Sequence, residues 1–162
     1  MKYVVDASTL NEFLKANALN ELFSLNISLA CTNLVVSELE NYWPALVETL
    51  NGYDLKVVEL SMDDLLYSKS KYDYGALSIQ DRTCLWLANK LSLSLLTSDG
   101  AMRKIATKLG IAVHGSLWIL DNLMKEEIID RHRACEIIRI FERSTIRMPE
   151  SEMIRRIEEW CS

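Results

Sequence analysis

The chain has 162 residues, is 49% hydrophobic and 25% charged, and carries a formal net charge of −5. That size suits a single domain, residues 1–162, with a core large enough to need no staples. The acidic balance argues against a protein that holds nucleic acid through bulk electrostatics, because phosphate neutralisation calls for a basic excess; a local basic patch or a basic protein partner stays open. The longest apolar runs fall short of the ~20 residues that a membrane span needs. Met1 and Lys2 lead straight into Tyr3-Val4-Val5, which leaves no room for a secretory leader, so a cytoplasmic protein is expected.

In chain order, residues 2–5 read as a buried strand, and Ser8 is a candidate N-cap for a helix carrying Leu10, Phe13 and Leu14. A short amphipathic piece spans 18–25 and a strand 27–31. Thr32 or Asn33 can then cap a helix carrying Leu34, Val35, Leu39, Tyr42, Trp43 and Leu46. Residues 55–60 form a third strand. The S-x-x-D sequence Ser61-Met62-Asp63-Asp64 is a capping box that opens a helix toward Lys71, broken by Gly75. A helix over 76–90, a strand over 93–97, a helix over 101–109 closed by Gly110 and a strand over 111–114 follow. With only five glycines and two prolines there is no linker. Alternating strands and helices mean a mostly parallel sheet in a three-layer α/β/α sandwich, which collects ligands at the carboxyl ends of its strands.

Residues 1–125 make up this core and about 126–162 a helical extension; the whole segment after Ser116 reads as helical, with pieces near 116–125, 130–143 and 149–161. Arg131, Arg133, Arg139, Arg143 and Arg147 alternate with acids there, as on a helix face laced with ion pairs. Met153, Ile154, Ile157 and Trp160 recur at helical spacing, so the last helix packs on the domain or on a second copy, which leaves a homodimer open. Trp86 and Trp118 sit in apolar helices and belong to the core, whereas Trp43 and Trp160 are less constrained and are free to meet a partner. Cys31, Cys84, Cys135 and Cys161 form no C-x-x-C pair and are expected to be reduced thiols, mostly buried. With only His114 and His132 besides, zinc has no ligand cluster.

Four carboxylates stand apart, because each lies in or just after an apolar stretch with no obvious basic partner. Asp6 and Asp99 follow buried strands and so share one sheet edge; capping the next helix is the plainer role for each. Asp81 lies in line with Leu77, Cys84, Leu85 and Ala88, an apolar face on which a mid-helix Asp is disfavoured. Arg82 points about 100° away from it. Glu38 shares a face with Leu34, Val35 and Tyr42. Buried carboxylates need compensation, and four brought to one edge repel one another unless a cation lies within reach of all of them. Oxygen-only ligation suits Mg²⁺ or Mn²⁺.

Val4-Val5-Asp6-Ala7-Ser8, Val35-Val36-Ser37-Glu38-Leu39, Leu77-Ser78-Ile79-Gln80-Asp81 and Leu95-Leu96-Thr97-Ser98-Asp99 occur in the order and context in which the chain resembles the PIN-domain family, including its VapC-type toxins. Arg103, Ala106, Gly110 and Gly115-Ser116-Leu117-Trp118-Ile119-Leu120 extend the resemblance to about residue 130. It implies a metal-dependent endoribonuclease acting on RNA, with Asp6, Glu38, Asp81 and Asp99 as its acidic ligand positions and Ser8 and Thr97 as polar positions beside them. It also implies a small antitoxin partner whose tail docks near the acidic groove.

The chemistry that follows is attack of water on a phosphodiester, assisted by Mg²⁺ or Mn²⁺, with Glu38 as general base or water holder. It needs no nucleophilic side chain, and the chain offers no Ser-His or Cys-His pair. Substrate grip would fall to Lys15, Lys71, Arg82, Arg103 and Lys104, each otherwise a solvated surface charge. Aspartyl phosphotransfer of the haloacid-dehalogenase kind needs a second Asp two residues after Asp6, where Ser8 stands. A receiver domain needs an acidic pair and a late lysine that are not evident. The stronger rival is a PIN-like module that binds RNA or protein without cutting, against which all four acids speak.

Overall fold

Continuous apolar runs suit strands buried on both faces, and the computed structural model, which describes residues 2–144 and 148–162, has five of them. They are β1 (Lys2–Val5), β2 (Ser28–Thr32), β3 (Leu55–Val58), β4 (Ser94–Leu96) and β5 (Val113–His114). All pair in parallel in the order β3-β2-β1-β4-β5, with Tyr3 opposite Leu29 and Val5 opposite Leu96. In the central strand β1, successive residues Tyr3, Val4 and Val5 point to alternate faces, and all are buried, so both faces of the sheet are covered.

The covering helices are α1 (Ala7–Lys15), α2 (Leu19–Ser24), α3 (Asn33–Glu40), α4 (Leu46–Asn51), α5 (Met62–Lys71), α6 (Ile79–Leu91), α7 (Gly100–Lys108), α8 (Ser116–Lys125), α9 (Arg131–Glu142) and α10 (Glu150–Trp160). Helix α6 lies across β2, β1 and β4 and meets α3 and α5. Tyr3 meets Trp118 of α8, while Phe13 of α1 packs edge-on against Phe141 of α9. The result is the expected α/β/α sandwich with a wholly parallel sheet. Its carboxyl edge carries Asp6 after β1, Asn33 after β2, Thr97 after β4 and Gly115 after β5.

Three local expectations are corrected. Asp6, not Ser8, caps α1, accepting a hydrogen bond from the Thr9 amide at 2.9 Å. The helix expected to run through Leu46 stops at Glu40, and Leu46 begins α4; Pro44 lies between, and a proline disfavours helical backbone at the residue before it. Helix α6 begins at Ile79, three residues later than expected, because Ser78 and Asp81 close a capping box. Asp81 is therefore a first-turn residue, where an acid is favoured by the helix dipole, and not a mid-helix one.

The C-terminal extension folds back on the domain. Helix α10 packs on α9, Trp160 is buried and not free for a partner, and Arg156 grips Asp121 of α8 with two bonds of 2.9 and 2.6 Å. Ion pairs join Arg133 to Glu21 and Glu136, Arg139 to Glu142, and Arg155 to Glu152, while Arg131 donates to the Glu159 carbonyl. Arg147 lies outside the described residues. Among the described residues no helix is long and apolar enough to cross a membrane.

The cysteine expectation is half overturned. Cys31 and Cys84 are buried free thiols, but Cys135 and Cys161 form a disulfide with a Cα–Cα distance of 5.2 Å. Their 26-residue separation hid the pairing in the sequence, and the return of α10 along α9 closes it. Such bonds persist in oxidising surroundings or in intracellular proteins of hyperthermophiles. Titration of the denatured, unreduced protein should find two thiols and, after reduction, four. Cys135→Ser should lower the unfolding free energy by roughly 3 kcal/mol, the loop-closure value for this separation, read from urea denaturation.

Candidate functional site

Asp6 leaves the end of β1 almost fully buried, at 1% exposure. Its Oδ1 caps α1, and its Oδ2 accepts hydrogen bonds from Ser8 Oγ at 2.7 Å and from Thr97 Oγ1. Thr97 in turn accepts the Asp99 amide at 3.1 Å, and Asp99 Oδ1 caps α7 by accepting the Met102 amide at 2.8 Å. The capping role weighed for Asp6 and Asp99 is thus real. It uses one oxygen of each, and a carboxylate has about four lone-pair sites. Ser8 and Thr97 hold the inner carboxylate in place, as polar neighbours of a ligand should.

Ser8, Glu38, Asp81 and Asp99 line one groove of about 380 Å³, with Ala7, Asn11, Leu39, Tyr42, Ala76 and Ser78. Asp6 does not line it but accepts the hydroxyl of Ser8, which does. A larger cleft of about 510 Å³ between α3, α4 and β3 contains none of the four acids. In the groove, burial raises the carboxyl of Asp6 to about 6 despite its hydrogen bonds. Burial also raises Glu38, with the charges of Asp81 and Asp6 adding to the shift, and it raises Asp81, with Asp99 adding. The four acids therefore act on one another, and none of them is in an ion pair among the described residues.

The proposed basic contacts are not in the groove. Arg82 is engaged by Asp73 at 3.1 Å and by the carbonyls of Leu77, Lys69 and Tyr74, which pins the turn before α6. The Arg103 guanidinium lies over Gly115, where an added Cβ would come within 2.5 Å of it. Lys15, Lys71 and Lys104 are exposed and do not line the groove.

The donor set would suit a hard divalent cation: every donor is oxygen, and Asp6 is almost fully desolvated. Among the described residues, however, no three His, Cys, Asp or Glu side chains come close enough together to hold one ion directly. The expectation that all four acids reach a single cation is corrected to that extent. An ion held here by fewer than three carboxylates would have to keep several of its waters, as Mg²⁺ does.

A wholly parallel α/β sheet with an oxygen-only acidic groove at its carboxyl edge defines the class of this protein. A PIN-domain family model matches residues 2–161, and the chain belongs to that family, whose members are generally nucleases dependent on divalent metal. A PilT N-terminus domain protein from the hyperthermophilic archaeon Sulfolobus solfataricus P2 superposes with a TM-score of 0.53 at 20% identity, over 77% of this chain and 92% of that one. A protein from Pyrobaculum aerophilum does so at 0.54 and 20%, over 77% and 90%. At this identity the likeness concerns the fold. No curated protein matches the chain.

One buried acid beside the groove gave little sign in the sequence. Glu12 is 1% exposed on α1; its Oε2 accepts hydrogen bonds from Ser98 Oγ at 2.9 Å and from Ser116 Oγ, and its Oε1 has no partner among the described residues. The only local signal is an acid between Leu10 and Phe13, both in the core. Burial raises its carboxyl to about 7, and the charge of Asp6 adds to the shift. Because the folded value lies above the ordinary 4.5, the folded protein binds more protons than the unfolded chain across that interval, so stability falls as pH rises. Urea unfolding of metal-free protein should lose a few kcal/mol between pH 4.5 and 7 and then level off. Asp6 contributes the lower part of the fall, and Glu12→Gln should flatten the segment from pH 6 to 7.

Proposed function

We propose that the protein is a metal-dependent endoribonuclease. The observation that carries this reading is the set of carboxylates at one open groove, desolvated at Asp6, Glu38 and Asp81, with no ion-pair partner among the described residues. Asp6, Asp81 and Asp99 would hold Mg²⁺ or Mn²⁺, at least one of them through water, with Glu38 beside them. The ion supplies Lewis-acid chemistry, lowering the pKa of a water and offsetting charge on the phosphate. Glu38 has a raised carboxyl and lines the groove, so its side-chain oxygen is suited to take a proton from the attacking water. Ser8 and Thr97 keep Asp6 from rotating away from the groove.

If the protein is the toxin of a pair, a small antitoxin reaching this groove would meet carboxylates, so its docking tail should present a basic side chain. A non-catalytic RNA- or protein-binding module is the second reading, favoured by the lack of any Lys or Arg lining the groove. Incubation with single-stranded RNA and Mn²⁺ separates the two. Cleavage should disappear on chelation, Glu38→Gln should lower it by roughly 100- to 10,000-fold, and Asp81→Asn should abolish it. Equal inertness of wild type and Asp81→Asn, with RNA or a protein still bound, would show that the module does not cut.

A further inference from the structure

The groove has a binding problem that its carboxylates create. Even with a cation bound, the whole chain is acidic and among the described residues no Lys or Arg lines the groove, so affinity for the strand cannot come chiefly from side chains that neutralise phosphates. What the rim does offer is an aromatic ring. Tyr42 follows Glu38 by one helical turn, lines the same groove and is 75% exposed. The backbone beneath it is anchored, since the amides of Tyr42 and Trp43 both donate to the Leu39 carbonyl, at 3.1 and 2.8 Å. The next ring is fixed too: Trp43 Nε1 donates to Asn11 Oδ1 at 3.0 Å, and Asn11 is itself a groove residue. A solvent-facing phenol ring on an anchored backbone, beside the groove acids, matches how unpaired bases are held, by stacking on an aromatic face.

We propose that Tyr42 is the stacking platform for an unpaired base next to the scissile phosphate. The proposal deepens the nuclease reading and rests on it. Base pairs in a duplex already stack on one another and offer no free face, so Tyr42 discriminates against paired RNA. Stacking also tolerates any base, so the groove selects for strandedness more than for sequence.

The test measures binding and cleavage separately. In the Glu38→Gln background, anisotropy of a fluorescein-labelled single-stranded 12-mer with Mn²⁺ should show Tyr42→Ala weakening binding about 5- to 150-fold. Tyr42→Phe, which keeps the ring, should bind like the parent. Walking one abasic nucleotide along the 12-mer should find a position at which Tyr42→Ala no longer matters. A duplex of the same sequence should bind weakly to all three. Equal single-strand binding by Tyr42→Ala and Tyr42→Phe, or duplex cut as fast as single strand by wild type, overturns the stacking role while cleavage itself leaves the nuclease reading intact. A Tyr42-dependent binding loss in a protein whose wild type never cleaves overturns the nuclease reading instead. Because Tyr42 is exposed, its replacement should leave the circular dichroism spectrum and melting temperature unchanged.

Discussion

Desolvation of carboxylates at the carboxyl edge of the sheet, with mutual repulsion added at Glu38 and Asp81, is the constraint around which this protein is organised. A parallel α/β sheet delivers the ends of β1 and β4 to one edge, and this sequence puts an Asp after each, with Glu38 and Asp81 brought alongside from α3 and α6. Left alone, that arrangement costs stability, as the raised carboxyls of Asp6, Glu38 and Asp81 show. It persists because the same residues do structural work. Asp6 and Asp99 cap α1 and α7, and Asp81 completes the capping box of α6. Three helix N-termini thus converge on the groove, and their backbone N–H groups and dipoles favour negative charge there.

The rest of the molecule holds this edge rigid. Thr97 bonds to Asp6 and receives the Asp99 amide, so the ends of β1 and β4 are tied through one hydroxyl. Glu12 ties the next residue, Ser98, to Ser116 at the start of α8. Beyond that, α8 is locked to α10 by Arg156 and Asp121, and α10 to α9 by the disulfide. The helical extension therefore braces the domain, and it is linked to the site both through α8 and through the packing of Phe141 on Phe13 of α1.

Parts of this were legible in the sequence for sound reasons. Asp6 and Asp99 follow apolar runs too continuous to be anything but buried strands, and the alternation of strands and helices fixed the edge on which both fall. Asp81 was singled out through an argument that the structure does not support: it is a first-turn capping residue, and its importance comes from the groove it lines. Glu38 was marked by its face and by family resemblance. Glu12 stayed hidden because its partners lie 86 and 104 residues away in the chain, and local patterns carry no trace of such contacts. The Cys135 to Cys161 bond was hidden likewise, and Arg82 looked free only because carbonyl acceptors cannot be read from a sequence.

A divalent cation bound in this groove would offset the charge of its carboxylates. Metal binding to carboxyls with raised values must displace protons from them, more at low pH than at high. Calorimetric titration with Mn²⁺ in two buffers of different ionisation enthalpy measures that release directly. The account predicts binding to the wild type with a substantial fraction of a proton released per ion at pH 5.5 to 6, falling toward zero by pH 8, and loss of both signals in Asp6→Asn. Absence of Mn²⁺ binding, or binding that releases no proton at either pH, would contradict it.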